Sequence, residues 1–210
     1  MKKIIIQDTT LRDGEQTPGV AFSFNDKVKV VNVLLELGVD AIELGFPAAS
    51  KEEENIIKNL ANKFSVNKKK FCVFSRIKEQ DIVIAHETTK KLINRRLQIV
   101  VPASNMHIKY SINKTKKQIL EDLKKSLKVA KSFFDEIQLT AQDAPRADKE
   151  FLFLLIKTSI EGGAKIIGLP DTVGCCTPNE YGNLIKNICK KYKFKKDLII
   201  SAHCHNDLGL

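Results

Sequence analysis

Apolar and polar positions along this chain repeat in one unit, a short apolar run followed by a segment with helical periodicity. Short apolar runs bounded by turn residues predict buried strands, and apolar residues spaced three and four apart predict amphipathic helices. The predicted strands are 4–8, 41–45, 71–75, 97–101, 136–140, 165–169 and 198–202. The predicted helices lie near 25–37, 50–63, 79–93, 114–131, 148–161 and 178–192. Strands and helices therefore alternate along the whole chain.

The fourth predicted helix has the clearest apolar stripe, with lysines on its other face. The stripe is Leu120, Leu123, Leu127 and Ala130. Gly38 is placed to end one helix and Pro178 to begin another. Because no linker or low-complexity segment interrupts the pattern, we expect one domain over residues 1–210.

Strict alternation of strands and helices fits either a doubly wound sheet or a (β/α)8 barrel. Polar residues follow the carboxyl end of nearly every predicted strand, which is typical of a barrel whose strand ends surround one cavity. The segments are 8–13, 43–45, 75–76, 104–107, 140–146, 170–174 and 203–205. We therefore predict a TIM barrel. A complete barrel takes about 250 residues and eight strands, so we expect a catalytic barrel domain covered through the seventh strand.

Composition narrows the class of protein. The chain has 210 residues, 43% of them hydrophobic, which is enough for a substantial core, and it has no apolar run long enough to span a membrane. Met1-Lys2-Lys3 leads directly into a strand without a signal peptide, so we expect a cytoplasmic protein. The five cysteines include no C-x-x-C pair and lie mostly in apolar segments, which predicts reduced, buried thiols.

The net charge of +10 raises the question of a nucleic-acid partner. The lysines and arginines are spread over several predicted helices without interleaved aromatic residues, so they indicate solvated helix faces and argue against nucleic acid. A basic surface still favours anionic small molecules such as a keto acid or a CoA thioester.

Two imidazoles stand at the end of the last predicted strand, in H-C-H-N-D-L-G-L (203–210). Residues two apart on a strand point to the same side, so His203 and His205 would face one site, with Cys204 pointing away. The plainer interpretation is a pair of hydrogen-bonded polar residues. The segment after the first predicted strand favours the metal interpretation. It contains Arg12 and Asp13, and Asp13 could add an oxygen ligand to a divalent cation such as Mg, Mn or Zn.

Five segments carry a resemblance to a known family. They are D-T-T-L-R-D-G-E-Q-T-P-G (8–19), I-E-L-G-F-P (42–47), Q-D-A-P-R (142–146), P-D-T-V-G (170–174) and H-C-H-N-D-L-G-L (203–210). In sequence and order they resemble the 2-isopropylmalate synthase and homocitrate synthase family of the DRE-TIM metallolyases. The resemblance implies a Claisen condensation in which an acyl-CoA, usually acetyl-CoA, adds to an α-keto acid before the thioester is hydrolysed.

The same resemblance implies a role for each matching residue. The residues that would bind the divalent metal, Mn or Mg with Zn as an alternative, are Asp13, His203 and His205. Arg12 would be catalytic and would contact substrate, and Glu43 would support it. The residues that would line the substrate site are Thr172, near the keto-acid carboxylate, and His107 and Thr140, near the side chain. For His107 alone, solvation of a loop is an equal alternative.

The chain departs from the family pattern at Gln142, where relatives usually have Glu; Gln keeps hydrogen bonding but loses the charge. The family's Asn metal ligand, the parts that complete the acyl-CoA site and a leucine-binding regulatory domain would lie after Leu210. No general base can therefore be assigned. We expect the full-length protein to be a homodimer.

The segments around 37–50 and 170–182 most resemble isopropylmalate synthases, which favours 3-methyl-2-oxobutanoate as substrate and a role in leucine biosynthesis. The stretch 146–152 also resembles homocitrate synthases, whose keto acid is 2-oxoglutarate, and citramalate synthase is a further alternative. Two interpretations of other classes stay open: a lyase that cleaves a 3-hydroxy-3-methylglutaryl-CoA-like substrate, and a non-catalytic fragment.

Overall fold

The computed structural model of the protein describes residues 4–193 and 197–210. The chain divides into two compact units. The first contains the residues up to Gln98 together with Phe133–Asp135, and the second contains Ile99–Ser132 and Glu136–Leu210. Within each unit, the neighbouring strands whose pairing is described run parallel and follow chain order.

The first unit begins with β/α repeats that match the predicted order. Its elements are β1 (Gln7–Asp8), α1 (Phe24–Leu37), β2 (Ala41–Glu43), α2 (Lys51–Lys63), β3 (Lys70–Arg76), α3 (Glu79–Thr89) and the first half of β4 (Arg95–Pro102). Helix α1 begins at a capping box formed by Ser23 and Asp26 and ends at Gly38, whose positive φ of 81° suits glycine. Side chains of Val31, Ile42 and Phe71 belong to the buried core between these helices and strands.

The second unit continues the alternation. Its elements are α4 (Asn105–His107), α5 (Lys116–Phe133), β5 (Ile137–Gln142), α6 (Lys149–Glu161), β6 (Ile166–Asp171), α7 (Pro178–Lys191) and β7 (Ile199–Cys204). The short α4 continues into a π-helical turn over Ile108–Ile112. Strand β6 pairs with β5 through Leu139 and Ile167, and with β7 through Pro170 and His203.

Three predictions about burial were wrong. The first strand was predicted over 4–8, but only Gln7–Asp8 is paired, and Ile4 is 79% exposed. The cause is register: Gln7 lies opposite Ala41, where β2 begins, so the preceding isoleucines extend past the neighbouring strand. The last strand was predicted to be buried, but Ile199 is 36% exposed because β6 is its one neighbour among the described strands.

The third concerns the cysteines. All five are free, as predicted, but Cys72 alone is buried. The others are Cys175 and Cys176 in the loop after β6, Cys189 on α7 and Cys204 at the end of β7. In α5 the predicted apolar stripe is buried at Leu123, Leu127 and Ala130, while Ile119 takes the place of the half-buried Leu120.

Within residues 4–193 and 197–210 there is no eighth strand. Over that same part of the chain, no helix combines the length and the apolar character needed to cross a bilayer.

Candidate active-site residues

In the first unit, a tight turn after β1 presents Arg12 and Asp13. The Asp8 carboxylate accepts hydrogen bonds from the Thr10 backbone N–H at 2.9 Å and from the Thr10 hydroxyl at 3.1 Å. The carbonyl oxygen of Thr9 accepts from the N–H groups of Arg12 and Asp13, at 3.1 and 2.8 Å. The side chain of Leu11, which lies within this turn, is fully buried. The hydrogen bonds to Asp8 and Thr9 and the buried Leu11 side chain therefore hold the backbone of this turn in place.

The guanidinium of Arg12 lies between two carboxylates. Its Nη1 donates to Oδ1 of Asp13 at 2.8 Å, and its Nε lies 3.3 Å from Oε2 of Glu43 on β2. The Glu43 side chain is fully buried, and the Arg12 guanidinium carbon lies 5.5 Å from the centre of the Phe74 ring. A planar cation that is hydrogen-bonded at Nη1, lies within ion-pair distance of a second carboxylate and is close to an aromatic ring has little rotational freedom. Glu43 thus lies within ion-pair distance of Arg12, and its supporting role stays a prediction.

A buried cation behind this turn was missed by the sequence analysis. Lys27 on α1 is fully buried, and its Nζ lies 2.7 Å from Oε2 of Glu15 and 2.9 Å from Oε2 of Glu53. Burial raises the pKa of Glu53 above its usual value, and the hydrogen bond and charge of Lys27 only partly oppose this. Glu15 also accepts from the Phe22 N–H at 3.0 Å. Helical spacing could have indicated Lys27, because it precedes the buried Val31 by four residues.

In the second unit, His107 is oriented by a buried carboxylate. Its Nδ1 lies 3.0 Å from Oδ2 of Asp143 and 3.1 Å from the Ser104 hydroxyl, which also caps α4. Asp143 is fully buried and has a left-handed backbone conformation with φ of 61°. Arg146 binds its carboxylate through Nε and Nη2, the shorter contact being 2.7 Å. A non-glycine residue rarely adopts a left-handed backbone conformation, so the contacts around Asp143 must stabilise it, which is typical of a functional position.

These contacts determine the charge state of Asp143. Burial would raise the pKa of this carboxyl, but hydrogen bonds from Arg146, Ser104 and His107 outweigh it and hold the pKa below its usual value. The backbone N–H of Asp143 donates to the hydroxyl of Thr172 at 2.9 Å. Asp143 therefore links two of the predicted substrate residues, His107 and Thr172. Sequence reasoning missed Asp143 and Arg146, although both lie in the quoted Q-D-A-P-R segment.

Thr140 lies on β5, apart from this network. Its hydroxyl accepts a hydrogen bond from the Gln138 amide at 3.2 Å, and a Cβ at Gly168 on β6 would lie 2.8 Å from the same oxygen. Only glycine at position 168 leaves room for the Thr140 side chain. A substrate contact of Thr140 stays a prediction.

The two histidines at the end of β7 lie side by side as predicted. The Nε2 atoms of His203 and His205 are 3.3 Å apart. The backbone N–H of His203 donates to the Tyr181 hydroxyl at 3.3 Å, and that of His205 donates to the Asp171 carbonyl at 3.2 Å. The thiol of Cys204 instead interacts with Tyr181, as expected for a side chain on the opposite side of the strand. Two imidazole nitrogens at this distance satisfy the plainer interpretation, a hydrogen-bonded pair, and they are also close enough to bind one cation, so metal binding stays a prediction.

The profile of the HMGL-like family matches residues 3–210, almost the whole chain. The chain belongs to the HMGL-like family. A protein named 2-isopropylmalate synthase 1 from Caldanaerobacter subterraneus subsp. tengcongensis is 42% identical over 210 residues, covering 100% of this chain and 52% of that protein. A 2-isopropylmalate synthase from Aquifex aeolicus is 38% identical over 209 residues, covering 100% of this chain and 40% of its own length. The chain thus spans about half, or less, of these relatives.

Two solved structures with a similar fold support the architecture. Hydroxymethylglutaryl-CoA lyase from Pseudomonas aeruginosa superposes with a TM-score of 0.81 at 19% identity, covering 99% of this chain and 70% of that one. The HMG-CoA lyase from Bacillus subtilis gives 0.79 at 19% identity, with coverage of 98% and 70%. The predicted fold class, an α/β fold of the TIM-barrel type, is confirmed, and so is the family resemblance.

Proposed function

We propose that this chain is the catalytic part of a 2-isopropylmalate synthase, which condenses acetyl-CoA with 3-methyl-2-oxobutanoate in leucine biosynthesis. The observation that carries the proposal is the shared name of relatives that are 38–42% identical across the whole chain. The proposal includes the domain expected from the sequence, residues 1–210, a cytoplasmic location and a homodimer for the full-length protein.

The residues that would hold a divalent ion, Mn or Mg with Zn as an alternative, are Asp13, His203 and His205. The histidines, whose Nε2 atoms are 3.3 Å apart, and the carboxylate of Asp13 would supply the mixed nitrogen and oxygen ligands that such an ion accepts. When bound, the ion supplies Lewis acidity toward the keto group of the substrate.

Arg12 is proposed as the catalytic cation. Condensation places negative charge on oxygen, first on the thioester enolate and then on the alkoxide formed from the ketone. A guanidinium already fixed by Asp13 and Glu43 stabilises that charge without having to reorganise during the reaction. Glu43 acts through Arg12 and is a positioning residue.

The hydroxyl of Thr172 and the imidazole of His107 are proposed to contact the keto acid. Thr172 already accepts a hydrogen bond from the Asp143 N–H, so its own hydroxyl proton can be donated to the keto-acid carboxylate. Asp143 interacts with Nδ1 of His107, so Nε2 of that ring is proposed to be the nitrogen that faces the substrate. With Thr140, which is proposed to contact the side chain of the keto acid, these groups would bind an α-keto acid at both ends.

A thiol-release assay with acetyl-CoA on the full-length protein tests the proposal, using three keto acids. We expect 3-methyl-2-oxobutanoate to exceed 2-oxoglutarate and pyruvate by about tenfold or more in kcat/KM, because an apolar pocket rejects a second carboxylate and loses contacts to a smaller side chain. Preference for 2-oxoglutarate would indicate a homocitrate synthase, and preference for pyruvate a citramalate synthase. Cleavage of 3-hydroxy-3-methylglutaryl-CoA without any condensation would indicate a lyase.

A further inference from the structure

The loop between β6 and α7 folds two adjacent cysteines around a buried carboxylate. Asp171, at the end of β6, is 3% exposed. Its Oδ1 accepts from the backbone N–H of Cys175 at 3.2 Å, and its Oδ2 accepts from that of Cys176 at 2.9 Å. The Sγ of Cys175 lies 3.6 Å from the same Oδ1. The proposed condensation uses none of these three side chains.

The three side chains form a compact donor set. One oxygen of Asp171 and the two sulfurs all lie within 4.8 Å of one another. Two thiolates on one tetrahedral ion, each at about 2.3 Å, stand about 3.8 Å apart, so only small movements would bring both sulfurs onto a common ion. Each carboxylate oxygen keeps a lone pair beyond the one used by a backbone N–H.

We propose that Asp171, Cys175 and Cys176 form a second metal site, selective for a thiophilic divalent cation such as Zn²⁺ or Cd²⁺. Soft thiolates favour these ions over Mg²⁺ and Mn²⁺, which prefer oxygen ligands. The site differs in chemistry from Asp13, His203 and His205, and it does not depend on the proposed enzymatic function. When the ion binds, each thiol that coordinates it loses its proton to solvent.

The cysteine loop also contacts the histidine segment directly. The carbonyl of Asp171 accepts the His205 N–H at 3.2 Å. A Cβ at Gly174 would lie 2.7 Å from Oδ2 of Asp207 and 2.9 Å from the carbonyl oxygen of His205. Because these backbones pack without space between them, an ion that draws the loop around Asp171 would also displace His205.

The test is a Cd²⁺ titration of the purified chain, followed by the ultraviolet charge-transfer absorption that only cadmium–thiolate bonds produce. Cadmium on histidine and carboxylate ligands lacks this band, so binding at Asp13, His203 and His205 cannot imitate the result. We expect one equivalent of Cd²⁺ to saturate the band. The double variant Cys175→Ser/Cys176→Ser is expected to lose it completely, whereas Cys189→Ser and Cys204→Ser, as matched controls, should retain it.

The proposal is overturned if the unmodified chain shows no band. It is also overturned if the band persists in the double variant or is lost in either control. Circular dichroism checks that the double variant is folded. If it is not, the single variants Cys175→Ser and Cys176→Ser replace it, and each is expected to weaken Cd²⁺ binding by about tenfold or more. Unchanged affinity in both would also refute the site.

Discussion

Arg12 contacts Asp13 and Glu43 through two different nitrogens, at 2.8 and 3.3 Å. A lysine ammonium is a single point of charge and cannot satisfy both carboxylates in this geometry. We therefore expect Arg12→Lys to lower kcat by about 100-fold or more while metal binding is retained, because one oxyanion-stabilising donor is worth about that factor. Steady-state thiol release and calorimetric titration with Mn²⁺ measure the two effects.

Arg95→Lys is the matched control for Arg12. Arg95 also stacks on a ring, with its guanidinium carbon 4.6 Å from the centre of Phe134, and it donates to the Phe133 carbonyl at 2.8 Å. It begins β4, at the end of the strand remote from the carboxyl-terminal loops. Near-normal turnover in Arg12→Lys, or an equal loss in Arg95→Lys, would contradict the catalytic assignment.

The buried carboxylate of Asp143 predicts how the free energy of unfolding depends on pH. Its pKa in the folded protein is below that of the unfolded chain, about 3.9. Its stabilising contribution is thus complete above pH 3.9 and is lost as pH falls through the folded-state pKa. Asp143→Asn removes this titration, so the free energy of unfolding should fall less steeply between pH 5 and pH 3 than in the unmodified protein. Urea denaturation at several pH values measures the slopes.

Glu161→Gln, on the exposed end of α6, is the control and should leave the slope of the unmodified protein unchanged. A separate kinetic readout tests the contact with His107: Asp143→Asn should raise the KM for the keto acid more than it lowers kcat. Identical slopes and kinetics in Asp143→Asn and the unmodified protein would rule out both roles.

Among the secondary-structure elements, Lys27 connects α1 to the segment after β1 and to α2, through Glu15 and Glu53. Removing a buried partner leaves charges uncompensated, so we expect Lys27→Met to lower the free energy of unfolding by about 3–5 kcal/mol at pH 7. The pKa of Glu53 is already raised by burial, and losing Lys27 raises it further. The destabilisation should therefore shrink at acidic pH, where Glu53 becomes neutral.

Lys29→Met offers a matched control on the same helix, because the Lys29 side chain is 77% exposed and its pair with Asp26 spans 3.7 Å. Its effect should stay within about 0.5 kcal/mol. Chemical denaturation of both variants at pH 7 and pH 4.5 makes the comparison. A Lys27→Met effect as small as that of Lys29→Met would show that the buried cluster contributes little to stability.

The elements that sequence could predict are those governed by local rules. Helix α1, predicted over 25–37, spans Phe24–Leu37 because its periodicity and both caps are encoded nearby. The length of β1 was wrong because it depends on where β2 starts, which is not a local property. In the candidate site, the resemblance supplied Arg12 and Glu43. The Asp143 network was missed because it depends on a left-handed residue whose partners come from different loops.

At the scale of the whole molecule, two strands have one neighbouring strand each among the described strands: β1 pairs with β2 in the first unit, and β7 pairs with β6 in the second. Unpaired strand edges with exposed apolar side chains promote association with other chains. Ile199 on β7 is 36% exposed. We therefore predict that the 210-residue chain self-associates, and that Ile199→Lys weakens this association. Sedimentation velocity over a concentration series measures it.

Leu154→Lys is the control, because Leu154 is 45% exposed but lies on helix α6 and not on a strand edge. It should leave association unchanged. A monomeric 210-residue chain at all concentrations would contradict the prediction, as would equal effects of the two lysine substitutions.

Gly45, just after β2, has a consequence for how this protein can diverge. Its φ is 141°, and a Cβ there would lie 2.0 Å from Oε1 of Glu53 and 3.0 Å from Ile57. Any side chain at position 45 would expel the carboxylate of Glu53, which is one of the two that pair with the buried Lys27, and would leave the charge of that lysine less well compensated. Positions 15, 27, 45 and 53 should therefore change together among descendants of this sequence: a lineage that gains a side chain at 45 is expected to have first lost the lysine at 27.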